Sequence, residues 1–187
     1  MKQSIGIDLD STLNCLVDYW LEVYNQDYGD CLTYSDITNW DIQQFVKKEC
    51  GPKIHDYTFR PGFFRHLKVK PYAVEITKFL AQYFDLYIIT AYHWEACRDK
   101  AQWIIEHFPH INSKNIIFCN NKALIGTSFL IDDGPHNLES FKGEAILFDA
   151  PWNRFLGDRY FRAKDWREVG KFFEKKLFLQ KNKEWDE

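Results

Sequence analysis

A doubly wound α/β domain with a mostly parallel sheet is the fold predicted by this sequence of 187 residues, on two observations. Five apolar runs of four to six residues recur at 4–9, 86–90, 115–119, 128–131 and 145–148, the character of buried parallel strands. Stretches of helical period lie between them, at 73–84 with Val74, Phe79, Leu80 and Tyr83, and at 94–108 with Cys97, Ala101, Ile104, Ile105 and Phe108. Strand and helix alternate, as crossovers in a parallel sheet require. The first run, S-I-G-I-D-L, ends in acidic residues, and in such sheets ligands bind beyond the carboxyl ends of the strands. A last amphipathic stretch at 166–179 closes the fold, with 180–187 expected as a charged, frayed tail.

Composition narrows the class. Lys plus Arg number 24 against 27 Asp plus Glu, a net charge of −3, which argues against a nucleic-acid polymer or an anionic membrane as partner. Hydrophobic content of 45%, charged content of 27%, nine Gly and six Pro exclude disorder, collagen and low-complexity linkers. No apolar run approaches the roughly 20 residues of a membrane span, and no signal-peptide core follows Met1-Lys2, so a cytoplasmic protein is expected. The five cysteines, Cys15, Cys31, Cys50, Cys97 and Cys119, are odd in number and contain no C-x-x-C pair, which points to reduced thiols. His107 and His110 flank Pro109 without a cysteine pair, a spacing that does not suit zinc.

The stretch 14–70 interrupts the alternation. It is too long for a crossover and shows helical patches at 16–24 and 42–48, so it reads as a helical cap inserted after the first strand. The expected division is a core of residues 1–13 and 71–187 and a cap of residues 14–70. Aromatic residues, 18% of the chain, are concentrated between 16 and 64; they form either a cap core or faces for a flat ligand. Arg60-Pro61-Gly62-Phe63-Phe64 marks the return, since Pro-Gly turns the chain and both Phe need apolar cover.

Four chemical signals fall at one edge of the inferred sheet: Asp8-Leu9-Asp10-Ser11-Thr12 after the first strand, Thr90 ending the second, Lys122 after the third, and Asp132-Asp133 ending the fourth. Carboxylates crowded in a poorly solvated cleft raise one another's pKa and destabilise the fold unless a cation joins them. Hard oxygen donors without His or Cys point to Mg²⁺.

These motifs, D-x-D-x-T, then Thr, then Lys, then an acidic pair, resemble the haloacid dehalogenase-like superfamily of aspartate-nucleophile phosphohydrolases. More narrowly, Pro61-Gly62-Phe63-Phe64, Asn121-Lys122, Phe129-Leu130-Ile131-Asp132-Asp133 and Trp152-Asn153-Arg154 look like the 5′(3′)-deoxyribonucleotidase family and its bacterial relatives. The resemblance implies a Rossmann-like core of about five strands with a small helical cap. It implies hydrolysis of a small phosphate ester, a nucleoside monophosphate, through an aspartyl-phosphate. Asp8 is then the nucleophile and Asp10 the acid and base, with Thr90 and Lys122 on the phosphoryl oxygens. Asp8, Asp133 and the Asp10 carbonyl are expected on Mg²⁺, with Asp132 in support.

Phe59, Phe63, Phe64 and Trp40 are candidate base-stacking rings beside Ala91, which stands where the family carries a second hydroxyl. Leu16 stands where the family has an aromatic base contact, and Asp10-Ser11-Thr12 replaces a D-G-V reading. Arg154 is expected on the surface rather than at substrate. Other readings are a phosphatase of the same superfamily for another small metabolite, and a non-catalytic nucleotide sensor, which would need a broken motif. Oligomeric state is open, a homodimer included.

Overall fold

The computed structural model describes residues 2–183. Six parallel strands form one sheet: β1 (Ser4–Ile7), β2 (Asp85–Thr90), β3 (Ile116–Phe118), β4 (Phe129–Asp132), β5 (Glu144–Phe148) and β6 (Phe161–Ala163), in the order β3-β2-β1-β4-β5-β6. The central strand β1 carries fully buried Ile5 and Ile7 and pairs with β2 on one side and β4 on the other. Ile7 lies opposite both Ile88 and Ile131, so the residues that follow these three positions emerge together at the switch point of the sheet.

Five strands were expected and six are present. The additional β6 reads F-R-A, with an exposed Phe161 and Arg162 at its centre, so it shows no apolar run; its order comes from pairing with β5. Helices α1 (Leu16–Tyr28), α2 (Ala73–Leu80), α3 (Cys97–His107), α4 (Pro135–Glu139) and α5 (Trp166–Lys183) flank the sheet and fill the insertion. Helix α5 runs on to Lys183, so the tail expected from 180 is helical as far as that residue; 184–187 lie outside the described residues. Helix α2 stops at Leu80, with turns carrying the chain to buried Phe84.

The stretch 14–70 between β1 and β2 is closed near its two ends by an isolated antiparallel bridge, Asn14 to Val69. One α-helix is present in the insertion; the rest is built on 3-10 turns at Tyr34–Asp36, Ile42–Gln44, Gly51–Phe59 and Phe63–His66. The helical patch expected at 42–48 is only the 3-10 turn Ile42–Gln44, after which Phe45 and Val46 pack against the core without continuing a helix. Gly62 takes φ 83° in the Pro-Gly turn, and its N–H donates to Asp99 Oδ2 on α3 at 2.6 Å. Arg65 adds hydrogen bonds to Gln102 and Glu106 on the same helix, fastening the returning chain to the core. Among the described residues, no helix is long and apolar enough to cross a membrane.

Candidate active site

Asp8 follows β1, and its backbone N–H donates to the Ile131 carbonyl at 2.9 Å, which draws the end of β1 against β4. Asp132 and Asp133 end and follow β4, and Lys122 opens the 3-10 turn Lys122–Ile125 after β3. All four side chains are buried. Lys122 Nζ donates to Asp8 Oδ1 and, at 2.6 Å, to Asp132 Oδ2. Carboxylate oxygens of Asp8, Asp132 and Asp133 lie within 4.8 Å of one another.

Three buried acids face the Lys122 ammonium, which pairs with two of them. Burial pushes Asp8 up to about 7; Lys122 opposes the rise, and Asp132 and Asp10 add to it. Burial also holds Asp133 well above the usual carboxylate range, with Asp8 and Asp132 repelling its charge further. Burial disfavours the Lys122 ammonium, yet Asp132 and Asp8 outweigh it and keep the group protonated beyond the ordinary lysine range. Buried hard-oxygen donors short of positive charge fit a divalent cation.

The two acids of β4 differ in what remains free. Asp132 Oδ1 accepts from Gly134 N at 2.8 Å and Asn137 Nδ2 at 3.1 Å, while its other oxygen holds Lys122. Asp133 has one donor per oxygen, Trp152 Nε1 at 3.1 Å and Thr12 Oγ1 at 3.3 Å, so lone pairs remain on both.

Asp10 stands apart from the acid cluster. Its carboxylate, 21% exposed, accepts from Lys100 Nζ at 2.5 Å and from Asn14 Nδ2 at 3.1 Å. The same Lys100 ammonium donates to Thr90 Oγ1 at 3.1 Å. Between Asp10 and Asn14 the loop turns at Ser11, whose φ of 61° is a left-handed conformation that glycine adopts without strain.

A cavity of about 520 Å³ opens above these groups, with Asp8, Asp10, Lys122 and the β4 acids at its floor. Val17, Trp20, Ile37, Trp40, Ile42 and His55 reach it from the insertion. Trp40 is 54% exposed, its ring edge-on to His136 at 4.7 Å. Ala91 also lines the cavity, whereas the other rings predicted as stacking faces do not. Phe63 and Phe64 are buried: Phe63 packs on Tyr19, and Phe64 lies beneath the Lys100 ammonium, 4.7 Å from ring centroid to Nζ. Phe59 stacks on His93 at 3.9 Å. For Phe63 and Phe64, apolar cover after the Pro-Gly turn decided the position, and the tight turn Phe63–His66 directs both into the packing. Leu16 is half-buried on the core, and Arg154 is exposed.

Sequence reading missed Lys100, Asn14 and Trp20. Lys100 sits in an amphipathic helix where a charged residue looks ordinary, and Trp20 follows Leu16 at a helical spacing that reads equally as packing. Asn14 had the one legible signal, an amide four residues after Asp10 at the mouth of the insertion.

The family model described as "5' nucleotidase, deoxy (Pyrimidine), cytosolic type C protein" matches residues 2–178. A 5'(3')-deoxyribonucleotidase of Clostridium acetobutylicum is 50% identical over 168 residues, covering 90% of this chain and 93% of that one. A 5'(3')-deoxyribonucleotidase of Bacillus subtilis is 37% identical over 172 residues, covering 90% and 97%. Among solved structures, a haloacid dehalogenase-like hydrolase from Streptococcus pneumoniae superposes with a TM-score of 0.64 at 14% identity, over 92% of this chain and 98% of that one, a likeness of fold. On a family model spanning residues 2–178 and a relative 50% identical over nine-tenths of the chain, this chain belongs to the cytosolic type C family of deoxy (pyrimidine) 5′ nucleotidases.

Proposed function

We propose that this protein is a Mg²⁺-dependent phosphomonoesterase that converts nucleoside monophosphates, deoxy forms included, to nucleoside and phosphate. The observation that carries the reading is the convergence of Asp8, Lys122, Asp132 and Asp133 under a roofed cavity in a chain of this family. Phosphate esters hydrolyse very slowly unaided, and catalysis consists of neutralising phosphoryl charge and fixing an in-line approach.

Asp8 attacks phosphorus, so that an Asp8 oxygen to phosphorus bond forms as the ester oxygen departs with a proton from Asp10. Asp10, now ionised, takes a proton from the water that displaces Asp8, and phosphate leaves. Lys122 spans Asp8 and Asp132 and neutralises the charge gathered between them, a task suited to a compact ammonium. Thr90 donates its hydroxyl to a phosphoryl oxygen. Asp8, Asp133 and the Asp10 carbonyl would hold Mg²⁺, which when bound would add positive charge beside the phosphoryl oxygens. The free lone pairs on Asp133 support it as the ligand, and the saturation of Asp132 supports a bracing role.

Residues 14–70 act as the cap that excludes water and selects the base. Trp20, Trp40, Ile37 and Ile42 give the roof a flat, largely apolar lining, which favours a nucleobase over a bare sugar phosphate. Five free cysteines, unpaired with one another, support a reducing, cytoplasmic setting.

Phosphate release from dUMP, dTMP, their ribo counterparts and sugar phosphates, with Mg²⁺ and with EDTA, tests the reading. Metal-dependent release with nucleotides preferred is expected. A clear preference for sugar phosphates would return the chain to the wider class of small-metabolite phosphatases, and tight nucleotide binding without turnover would make it a sensor.

A further inference from the structure

Lys100 is a second buried ammonium beside the strand ends, and none of the steps above uses it. It belongs to the first turn of α3, is 4% exposed, and holds two groups of the reaction at once: Asp10 Oδ2 at 2.5 Å and Thr90 Oγ1 at 3.1 Å. The Phe64 ring covers its other side at 4.7 Å. Asn14 Nδ2 holds the second Asp10 oxygen at 3.1 Å, and Asn14 is itself fixed by accepting from the backbone N–H groups of Ser11 and Leu16 at 3.0 and 3.1 Å. Both Asp10 oxygens are therefore restrained, one from α3 and one from the base of the insertion.

An ammonium has donors only, so the Thr90 oxygen accepts from Lys100 and its own proton is left for another acceptor. Burying a lysine is costly unless its charge is met, and here it is met by a carboxylate that lines the cavity.

We propose that Lys100 is a positioning residue for phosphoryl transfer. It sets the Asp10 carboxylate where the ester oxygen departs and commits the Thr90 hydroxyl to donating toward the phosphoryl group. The proposal rests on Asp10 serving as acid and base. Lys100 gains and loses no proton: the proton passes from Asp10 to the ester oxygen as the phosphorus to oxygen bond breaks.

The test compares Lys100→Met and Lys100→Gln with the wild type on two esters in Mg²⁺, a deoxynucleoside monophosphate and p-nitrophenyl phosphate. The first releases an alkoxide that needs the proton of Asp10; the second releases a phenolate that departs without one. Because kcat/KM reports the steps up to ester cleavage, it isolates the protonation from the later attack of water. For Lys100→Met, kcat/KM on the nucleotide is expected to fall by about 100-fold, the cost of a small misplacement of a reacting group. The fall on the aryl ester is expected to be at least about tenfold smaller, and Lys100→Gln, which keeps a donor, should be intermediate. Equal losses on both esters in whichever variants fold, while Asp8→Asn is inactive, would overturn the role of Lys100 and leave the nucleotidase reading standing. Full activity of Asp8→Asn would overturn both.

Discussion

The floor and the roof of the cavity obey different rules. The floor is assembled by strand register: Ile7 opposite Ile88 and Ile131 delivers Asp8, Thr90 and Asp132 to one edge from widely separated positions in the chain. The roof is one α-helix and a series of 3-10 turns, held by scattered contacts such as Trp20 Nε1 to the Ile54 carbonyl at 2.7 Å and Tyr57 Oη to Asp27 at 2.6 Å. A floor set by a sheet tolerates little movement, while a roof of turns can change its side chains and leave the chemistry in place. Catalysis and base choice should therefore separate under mutation.

Damage to the floor should cost most. Asp8→Asn is expected to lower kcat for nucleotide hydrolysis by at least about 1,000-fold, read as phosphate release. The same change removes a repelled charge, so the metal-free variant should melt at a higher temperature than the wild type. Lys122→Met leaves Asp8 and Asp132 buried without their common partner, and denaturant titration of the metal-free protein near neutral pH should show a loss of about 3–5 kcal/mol.

Damage to the roof should be selective. Trp40→Ala removes an exposed aromatic face at the cavity, and stacking worth about 1–3 kcal/mol per base predicts a KM for nucleoside monophosphates raised roughly tenfold with little change in kcat. A matching loss on p-nitrophenyl phosphate would show that the roof and floor are not separable.

Acidity distinguishes the two regions again. Asp8 binds a proton more tightly folded than unfolded, since its value is raised from 3.8 to about 7, and Asp133 shifts the same way. The folded state thus carries extra protons, and stability of the metal-free protein falls as pH rises from the ordinary carboxylate range toward about 7. In EDTA the denaturation midpoint should be higher at about pH 5 than at about pH 8, and Mg²⁺ should narrow the gap by favouring the ionised acids. The smallest effect is expected from Ser11→Gly. Relief of the φ of 61° is offset by a more flexible unfolded chain, which predicts a change in stability within about 1 kcal/mol.

What was legible followed the same divide. Asp8, Thr90 and Asp132-Asp133 directly end apolar runs, and a parallel sheet converts that local pattern into a shared location. Lys122 was legible through its place after the third run. The strand β6 was hidden because pairing with β5, rather than its own apolar content, makes it extended. In the roof, apolar periodicity could not separate α-helix from successive 3-10 turns, nor a ring facing ligand from one under a turn, which is why Phe63 and Phe64 lie in packing while Trp20 and Trp40 line the cavity. Lys100 escaped notice because its significance lies in partners at positions 10 and 90, on two other elements.

The central claim, covalent transfer of the phosphoryl group to Asp8, is tested most directly by mixing enzyme with a nucleoside monophosphate and Mg²⁺, quenching in acid within one turnover, and mapping the protein by mass spectrometry. A phosphoryl group on the peptide containing Asp8, absent in EDTA, is the result this account predicts. Release of phosphate with no phosphorylated protein, or with the group on another residue, would contradict it.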